Sequence, residues 1–218
     1  MQLVFLLHPA LFGIVFGALG TMARDRDERI RELVARLSDE ARTDGLTGLL
    51  NHRAFYEALH VEVERAKRQK TGLACLIADV DHFKLVNDRC GHRAGDRVLQ
   101  GIASRLRKAS RPYDVVARYG GEEISILLPG SGAQEARLQA ERLRREIEAE
   151  PFDVGQDAPP LYVTVSIGVA LLGTHAHEGS RLVDAADRAM YNAKRAGRNR
   201  VCQSSLSATT ICRVPGLE

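Results

Sequence analysis

Residues 114–130 read DVVARYGGEEISILLPG. Two apolar runs flank Gly120-Gly121, and two glutamates follow at once. The pattern is that of a β-hairpin, because paired glycines suit the positive φ of a tight primed turn. Adjacent carboxylates at the head of an apolar strand do little for solubility, which is better served by interspersed charge. Successive strand side chains face opposite ways, so Glu122 shares a face with Ile124, Ile126 and Leu128, and Glu123 with Ser125 and Leu127. Both stand at the hairpin mouth, beside a turn whose lack of side chains lets a large ligand approach the backbone.

Upstream, GLACLIAD (72–79) is a buried strand ending in Asp79, preceded by a helix from roughly Arg53 to Arg68. Residues 82–109 hold a short helix, a break at Gly91, and a helix with Val98, Leu99, Ile102 and Leu106 on one face. Downstream, 130–150 is a helix with Ala136, Leu143 and Ile147 inward, LYVTVSIGVALL (161–172) is a strand, and 180–197 is a helix ending at Gly197. Strands alternating with helices around one hairpin predict an α/β fold with a mixed central sheet flanked by helices.

The chain has 218 residues, 44% of them hydrophobic and 27% charged, the balance of an ordinary globular protein. A net charge of +3 is too weak to point to a nucleic-acid partner. Cys75, Cys90, Cys202 and Cys212 have neither CxxC nor zinc-ligand spacing and read as reduced thiols. Residues 1–22 contain no Asp, Glu, Lys or Arg, and Arg24, Arg26, Arg29 and Arg31 follow. That length spans about 30 Å as a helix, so the segment reads as a transmembrane helix with its C-terminal side in the cytoplasm. The competing readings are a signal peptide, which lacks its basic start, and a buried or interfacial helix, since His8-Pro9 interrupts the run. In the helical linker 23–43, Ile30, Leu33 and Leu37 make a short seam, either a coiled coil or an amphipathic helix packed on the domain. Thr43-Asp44 then caps and turns the chain into a domain over 44–203, and 204–218 is a polar tail.

Asp79 and Asp81 end the strand before the hairpin, and a hairpin beside that strand brings Asp79 near Glu122 and Glu123. Any one of these acids alone is most simply a solvated strand end. Together, with no His or Cys among them, they suit Mg²⁺ or Mn²⁺ shared with substrate phosphates. Lys194 and Arg198 are four apart, so one helical face could carry both, and they bracket the helix C-terminus. They answer either the helix dipole or a phosphate chain.

These residues resemble a known family. RYGGEE (118–123) is similar to the signature of GGDEF-domain diguanylate cyclases, in its Glu-Glu form. DGLTGLLNHRAF (44–55) resembles the family's DxLTGLxNRRxF, DVDHFKLVNDRCGHRAGD (79–96) its DxDxFKxxNDxxGHxxGD, and YNAKRAGRN (191–199) its YxAKxxGRN. The motifs keep their order from Asp44 to Val201. The resemblance implies a sheet similar to nucleotidyl cyclase and polymerase palm domains. It implies a nucleotidyltransferase joining two GTP into cyclic di-GMP, each 3′-OH attacking the α-phosphorus of the other GTP as pyrophosphate leaves. Two domains must then face each other, so a homodimer is implied, with the linker seam pairing protomers.

The same resemblance implies site roles. Asp79, the Val80 carbonyl, Glu122 and Glu123 would hold two Mg²⁺ or Mn²⁺ ions, with Glu122 also the base for the 3′-OH. Lys84 would stabilise transition-state charge, and the Phe83 and Lys84 amides would lie near the phosphates. Asn87 and Asp96, with His92 alongside, would read guanine; a serine tends to replace this aspartate in members that make mixed dinucleotides. Gly120 and Gly121 would line the substrate, and Lys194 and Arg198 would bind phosphate. RPYD (111–114) resembles the RxxD inhibitory site for the product, with Arg142 as its second arginine. Ile124 departs from the family's Phe, and His52 and His82 replace commoner residues with no evident ligand role. The implied setting is the bacterial inner membrane, with residues 1–22 in the bilayer and the catalytic domain cytoplasmic. A catalytically weak domain that binds GTP or cyclic di-GMP and signals by contact is the alternative.

Overall fold

Strand β1, Leu73–Val80, is buried along its whole length, as an apolar run without alternation requires when both faces of a sheet are covered. The computed structural model describes residues 42–155 and 159–205. Around β1 lie β2 (Val115–Arg118), β3 (Glu123–Pro129), β4 (Val165–Leu171) and β5 (Val201–Gln203), in the order β2-β3-β1-β4-β5. The β2–β3, β3–β1 and β1–β4 pairs are antiparallel and β4–β5 is parallel, so the sheet is mixed as expected. The helices are α1 (His52–Gln69), α2 (Phe83–Cys90), α3 (His92–Ala109), α4 (Ala133–Glu148) and α5 (Gly179–Arg195).

The strand period of two divides β1 between two cores. Ala74, Leu76, Ala78 and Val80 join Ile124, Ile126 and Leu128 against Val98, Ile102 and Leu106 of α3 and Leu143 and Ile147 of α4. Leu73, Cys75 and Ile77 join Leu127 and Ala170 against Phe55 and Leu59 of α1 and Leu182, Ala186 and Met190 of α5. Asp79 continues the second set, so its carboxylate emerges between sheet and α5 at the strand's end.

Local chemistry sets the ends of these elements. Asp44 Oδ1 accepts from the Thr47 amide at 2.8 Å and hydroxyl at 2.6 Å, which makes the opening turn that the sequence announces. Asn51 caps α1 by accepting from the Ala54 amide at 2.9 Å. Gly197, at φ +114°, ends α5 in a Schellman motif: its amide bonds Lys194 O at 3.4 Å and the Arg198 amide bonds Ala193 O at 3.0 Å. Helix α5 lies directly on the sheet over Gly168, where a Cβ would stand 2.0 Å from Ala186 O and 2.1 Å from Met190 N.

Three expectations are corrected. Neither Gly120 nor Gly121 has positive φ, so their turn is not primed; Tyr119–Glu122 form a four-residue connection. The strand read over 161–172 is shorter, because Leu161 pairs with Phe152 and Thr164 O accepts the Asp81 amide at 2.9 Å. Helix α4 starts at Ala133, since Gly130 sits at φ +74° and Gly132 is the N-cap. Strand β5 was not anticipated; three residues are too few for a period to register. No helix among the described residues is long and apolar enough to cross a membrane. The expected span 1–22, residues 23–41 of the linker and residues 206–218 of the tail lie outside the described residues.

Gly168→Ala tests the seat of α5. The added methyl meets backbone, not a movable side chain. The expected loss is roughly 3 kcal/mol, or about 6–12 °C in thermal melting of a domain this size. An unchanged melting temperature would show that α5 rides higher on the sheet.

Candidate active site

The two acids of the hairpin meet the end of β1 as foreseen. Asp79 stands opposite Glu123 in the β1–β3 ladder, and the Val80 amide donates to Glu122 O at 3.4 Å. Glu122 itself precedes the strand, which begins at Glu123. The turn is closed by Tyr119 and Gly120 amides on Glu123 O, at 2.8 and 3.3 Å. A Cβ on Gly120 would come within 2.8 Å of Glu123 Oε2, so this glycine serves close approach, not φ.

Glycines cannot anchor a turn, so its flanks do. Arg118 donates to Gly121 O through Nη2 at 2.7 Å and Nε at 3.1 Å, and through Nη1 to both Asp44 carboxylate oxygens at 3.2 Å. The opening turn and the signature turn are thereby one unit. Tyr119 and Tyr56 share a hydroxyl hydrogen bond of 2.9 Å, and His52 packs 4.9 Å from each ring. His52 therefore has a packing role. His82 has another: at φ +57° it turns the chain from β1 into α2.

Electrostatics single out the same place. Asp79 is 4% exposed, and Lys194 Nζ lies 2.6 Å from its Oδ2. Burial pushes the Asp79 carboxyl above its ordinary value, and Lys194 opposes the shift. Burial and then the Asp79 charge push Glu122 and Glu123 up as well. Asp79 Oδ1 is buried without a hydrogen-bond partner. Among the described residues no three His, Cys, Asp or Glu side chains converge as a ready metal cage. Oxygen donors, mutual repulsion and an unpartnered buried carboxylate oxygen nonetheless fit a hard cation that takes its remaining ligands from phosphate and water.

The start of α2 follows two residues behind Asp81. Phe83 is buried and Lys84 exposed, and no side chain caps the helix, so its first amides remain available to an anion. Asn87 of α2 lies over Gly95 of α3, whose Cβ would stand 2.0 Å from Asn87 Oδ1. That missing Cβ sets the Asn87 carboxamide beside the turn carrying His92 and Asp96, both exposed.

Lys194 and Arg198 do not share a helical face. Helix α5 ends at Arg195, and Arg198 (φ +62°) and Asn199 (φ +46°) are left-handed. Asp81 is buried and accepts from the Thr164 and Ser166 hydroxyls at 2.7 Å each and from the Asn199 amide at 3.0 Å. The sequence marked Asp81 only as an acid at a strand end. The left-handed pair after Gly197 had a signal in the Gly-Arg-Asn order, since Gly and Asn both favour that region.

Arg111, Asp114 and Arg142 gather at the far end of β2. Asp114 Oδ2 accepts the Arg111 amide at 2.8 Å, and its Oδ1 is buried and unpartnered. Burial pushes this carboxyl up, opposed by the Arg111 and Arg142 charges. The Arg111 guanidinium is held by Glu135 Oε1 at 2.7 Å, and Arg142 donates to Gln139 Oε1 at 2.9 Å and to Ala109 O. Four strand residues, about 13 Å, separate this cluster from the signature turn.

The family described as diguanylate cyclase, GGDEF domain, matches residues 41–200. The chain is 46% identical over 163 residues to the diguanylate cyclase DgcP of Pseudomonas aeruginosa, a match covering 74% of this chain and 24% of that one. The GGDEF domain of DgcB from Caulobacter crescentus, solved in complex with c-di-GMP, has a TM-score of 0.71 at 35% identity, covering 75% of this chain and 95% of that one. The active GGEEF domain of a diguanylate cyclase from Vibrio cholerae has a TM-score of 0.67 at 33% identity, covering 73% and 99%. The chain spans between about a quarter and about half the length of the curated relatives it matches.

Glu123→Gln tests the electrostatics without substrate. A carboxyl raised in the folded state stabilises fully below its unfolded value, and that contribution is lost as pH rises through the folded value. At pH 7 the ionised Glu123 therefore opposes folding. The metal-free variant is expected to melt higher than wild type at pH 7, the gain shrinking as pH falls toward about 4. Mg²⁺ is expected to raise the wild-type melting temperature more than the variant's. A pH-independent difference would remove Glu123 from the acidic cluster.

Proposed function

Since this chain belongs to the GGDEF family of diguanylate cyclases, we propose that it condenses two GTP into cyclic di-GMP with release of two pyrophosphates. The observation that carries this reading is the end of β1, where Asp79 faces Glu123 and grips Lys194 while one carboxylate oxygen stays unpartnered. Two Mg²⁺ or Mn²⁺ ions, held by Asp79, the Val80 carbonyl, Glu122 and Glu123, would neutralise phosphate charge.

The chain's own residues do the rest. Glu122, half-buried beside Asp79, takes the proton of the 3′-OH. The freed oxygen bonds the α-phosphorus of the GTP on a facing domain, and the bond to pyrophosphate breaks. Lys194 and Arg198 bind phosphate, Lys84 offsets developing charge, and the uncapped α2 amides lie against the phosphate chain. Asp96 and Asn87 take the donor edge of guanine, which adenine does not present in that pattern. Residues 23–43 pair protomers, and 1–22 tether them to the membrane. At the second cluster, product binds Arg111, Asp114 and Arg142 after displacing Glu135 from Arg111, a two-site inhibition.

Purified protein given GTP and Mg²⁺ is expected to yield cyclic di-GMP, and Glu123→Gln to yield none. No product from wild type would favour a binding module. Arg111→Ala is expected to raise the plateau of product with little change in initial rate, and to weaken inhibition about ten- to a hundredfold. Progress curves with added cyclic di-GMP measure this, and identical curvature in both proteins would make RPYD a surface turn only.

A further inference from the structure

Two consecutive non-glycine residues, Arg198 and Asn199, hold left-handed backbone at φ +62° and +46°. Such conformations are sterically unfavourable for L-residues and persist where neighbours over-determine them. Asn199 is over-determined. Its amide donates to Asp81 Oδ2 at 3.0 Å, its Nδ2 donates to Glu148 Oε1 at 2.7 Å, and its Oδ1 accepts from Arg144 Nη1 at 2.6 Å. Arg144 is itself fixed between Glu141 at 3.0 Å and Glu148 at 2.6 Å.

Asp81 is the buried end of this network, 5% exposed. Both its oxygens are occupied, by the Thr164 and Ser166 hydroxyls at 2.7 Å and the Asn199 amide. A carboxylate so saturated with donors has little left for a cation, unlike Asp79 with its open Oδ1. Two residues apart on one strand end, Asp79 holds Lys194 and Asp81 holds Asn199. They clamp both ends of the segment that contains Arg198.

We infer that Asp81 and Asn199 are positioning residues that hold Arg198 in register with Lys194 for a nucleoside triphosphate. This rests on Arg198 being a phosphate ligand, as proposed above. A guanidinium on a freely turning segment would lose orientation, and orientation is what a charged phosphate contact needs.

The test is binding of a non-hydrolysable GTP analogue with Mg²⁺ to the full chain, measured by calorimetry alongside thermal melting. Arg198→Ala is expected to weaken binding about ten- to a hundredfold. Asp81→Ala is expected to weaken it about five- to tenfold, as an indirect loss of the same contact. Asp81→Asn is expected to bind like wild type, because its carbonyl still accepts from the Asn199 amide while its NH₂ donates to a rotated hydroxyl. In an Arg198→Ala background, Asp81→Ala should then cost no further affinity. Asn199→Ala carries the same comparison if Asp81→Ala does not fold. Additive losses, or no loss from either single change while Arg198→Ala binds weakly, would overturn the inference. Unchanged binding in Arg198→Ala would instead remove the phosphate reading of Arg198, and this inference with it.

Discussion

The ion pair between Asp79 and Lys194 is where sheet, helix and candidate chemistry meet. It exists because β1 is the central strand, covered on both faces, so that its last acid is delivered into a nearly dry place. It also needs α5 to lie against the sheet, which Gly168 allows by having no side chain under Ala186 and Met190. A buried pair is weak evidence of stabilisation, since desolvation offsets most of the attraction. Its significance is positional. Lys194 places a positive charge beside an acid that would otherwise repel Glu122 and Glu123 uncompensated.

Stability and site pull in opposite directions here. Three carboxyls shifted up by burial, a buried carboxylate oxygen without a partner, and the left-handed non-glycine residues His82, Arg198 and Asn199 all oppose folding. They sit at one end of the sheet, where β1 stops. The apolar weight lies behind them, in Leu76, Ile126 and Ile102 on one face and Phe55, Ile77 and Leu127 on the other. A rigid double core holding strained polar groups at its edge suits a site that must be organised before its ligand arrives.

Much of this was legible in the sequence, and the failures are as physical as the successes. The hairpin, the buried strand and the helices follow from periodicity, and the meeting of Asp79 with Glu123 follows from placing hairpin beside strand. The sequence points to Gly120 for its dihedral freedom, whereas the fold uses its missing Cβ against the Glu123 side chain. Lys194 and Arg198 bracket the end of α5, as their places on either side of Gly197 imply, but the turn after Gly197 takes Arg198 off the face of Lys194. Asp81 looked like Asp79 in the sequence. Only the fold distinguishes them, by bringing Thr164, Ser166 and Asn199 to one and leaving an oxygen of the other open.

Strand β2 joins two polar clusters of different character. At its start, Asp114 gathers Arg111 and Arg142 with Glu135 already on Arg111. At its end, Arg118 ties Gly121 to Asp44, the first acid after the linker. The strand between them is paired with β3 along its whole length. Under the proposed reading, product at Arg111 would therefore sit at the start of the same strand that carries the Arg118 anchor of the signature turn.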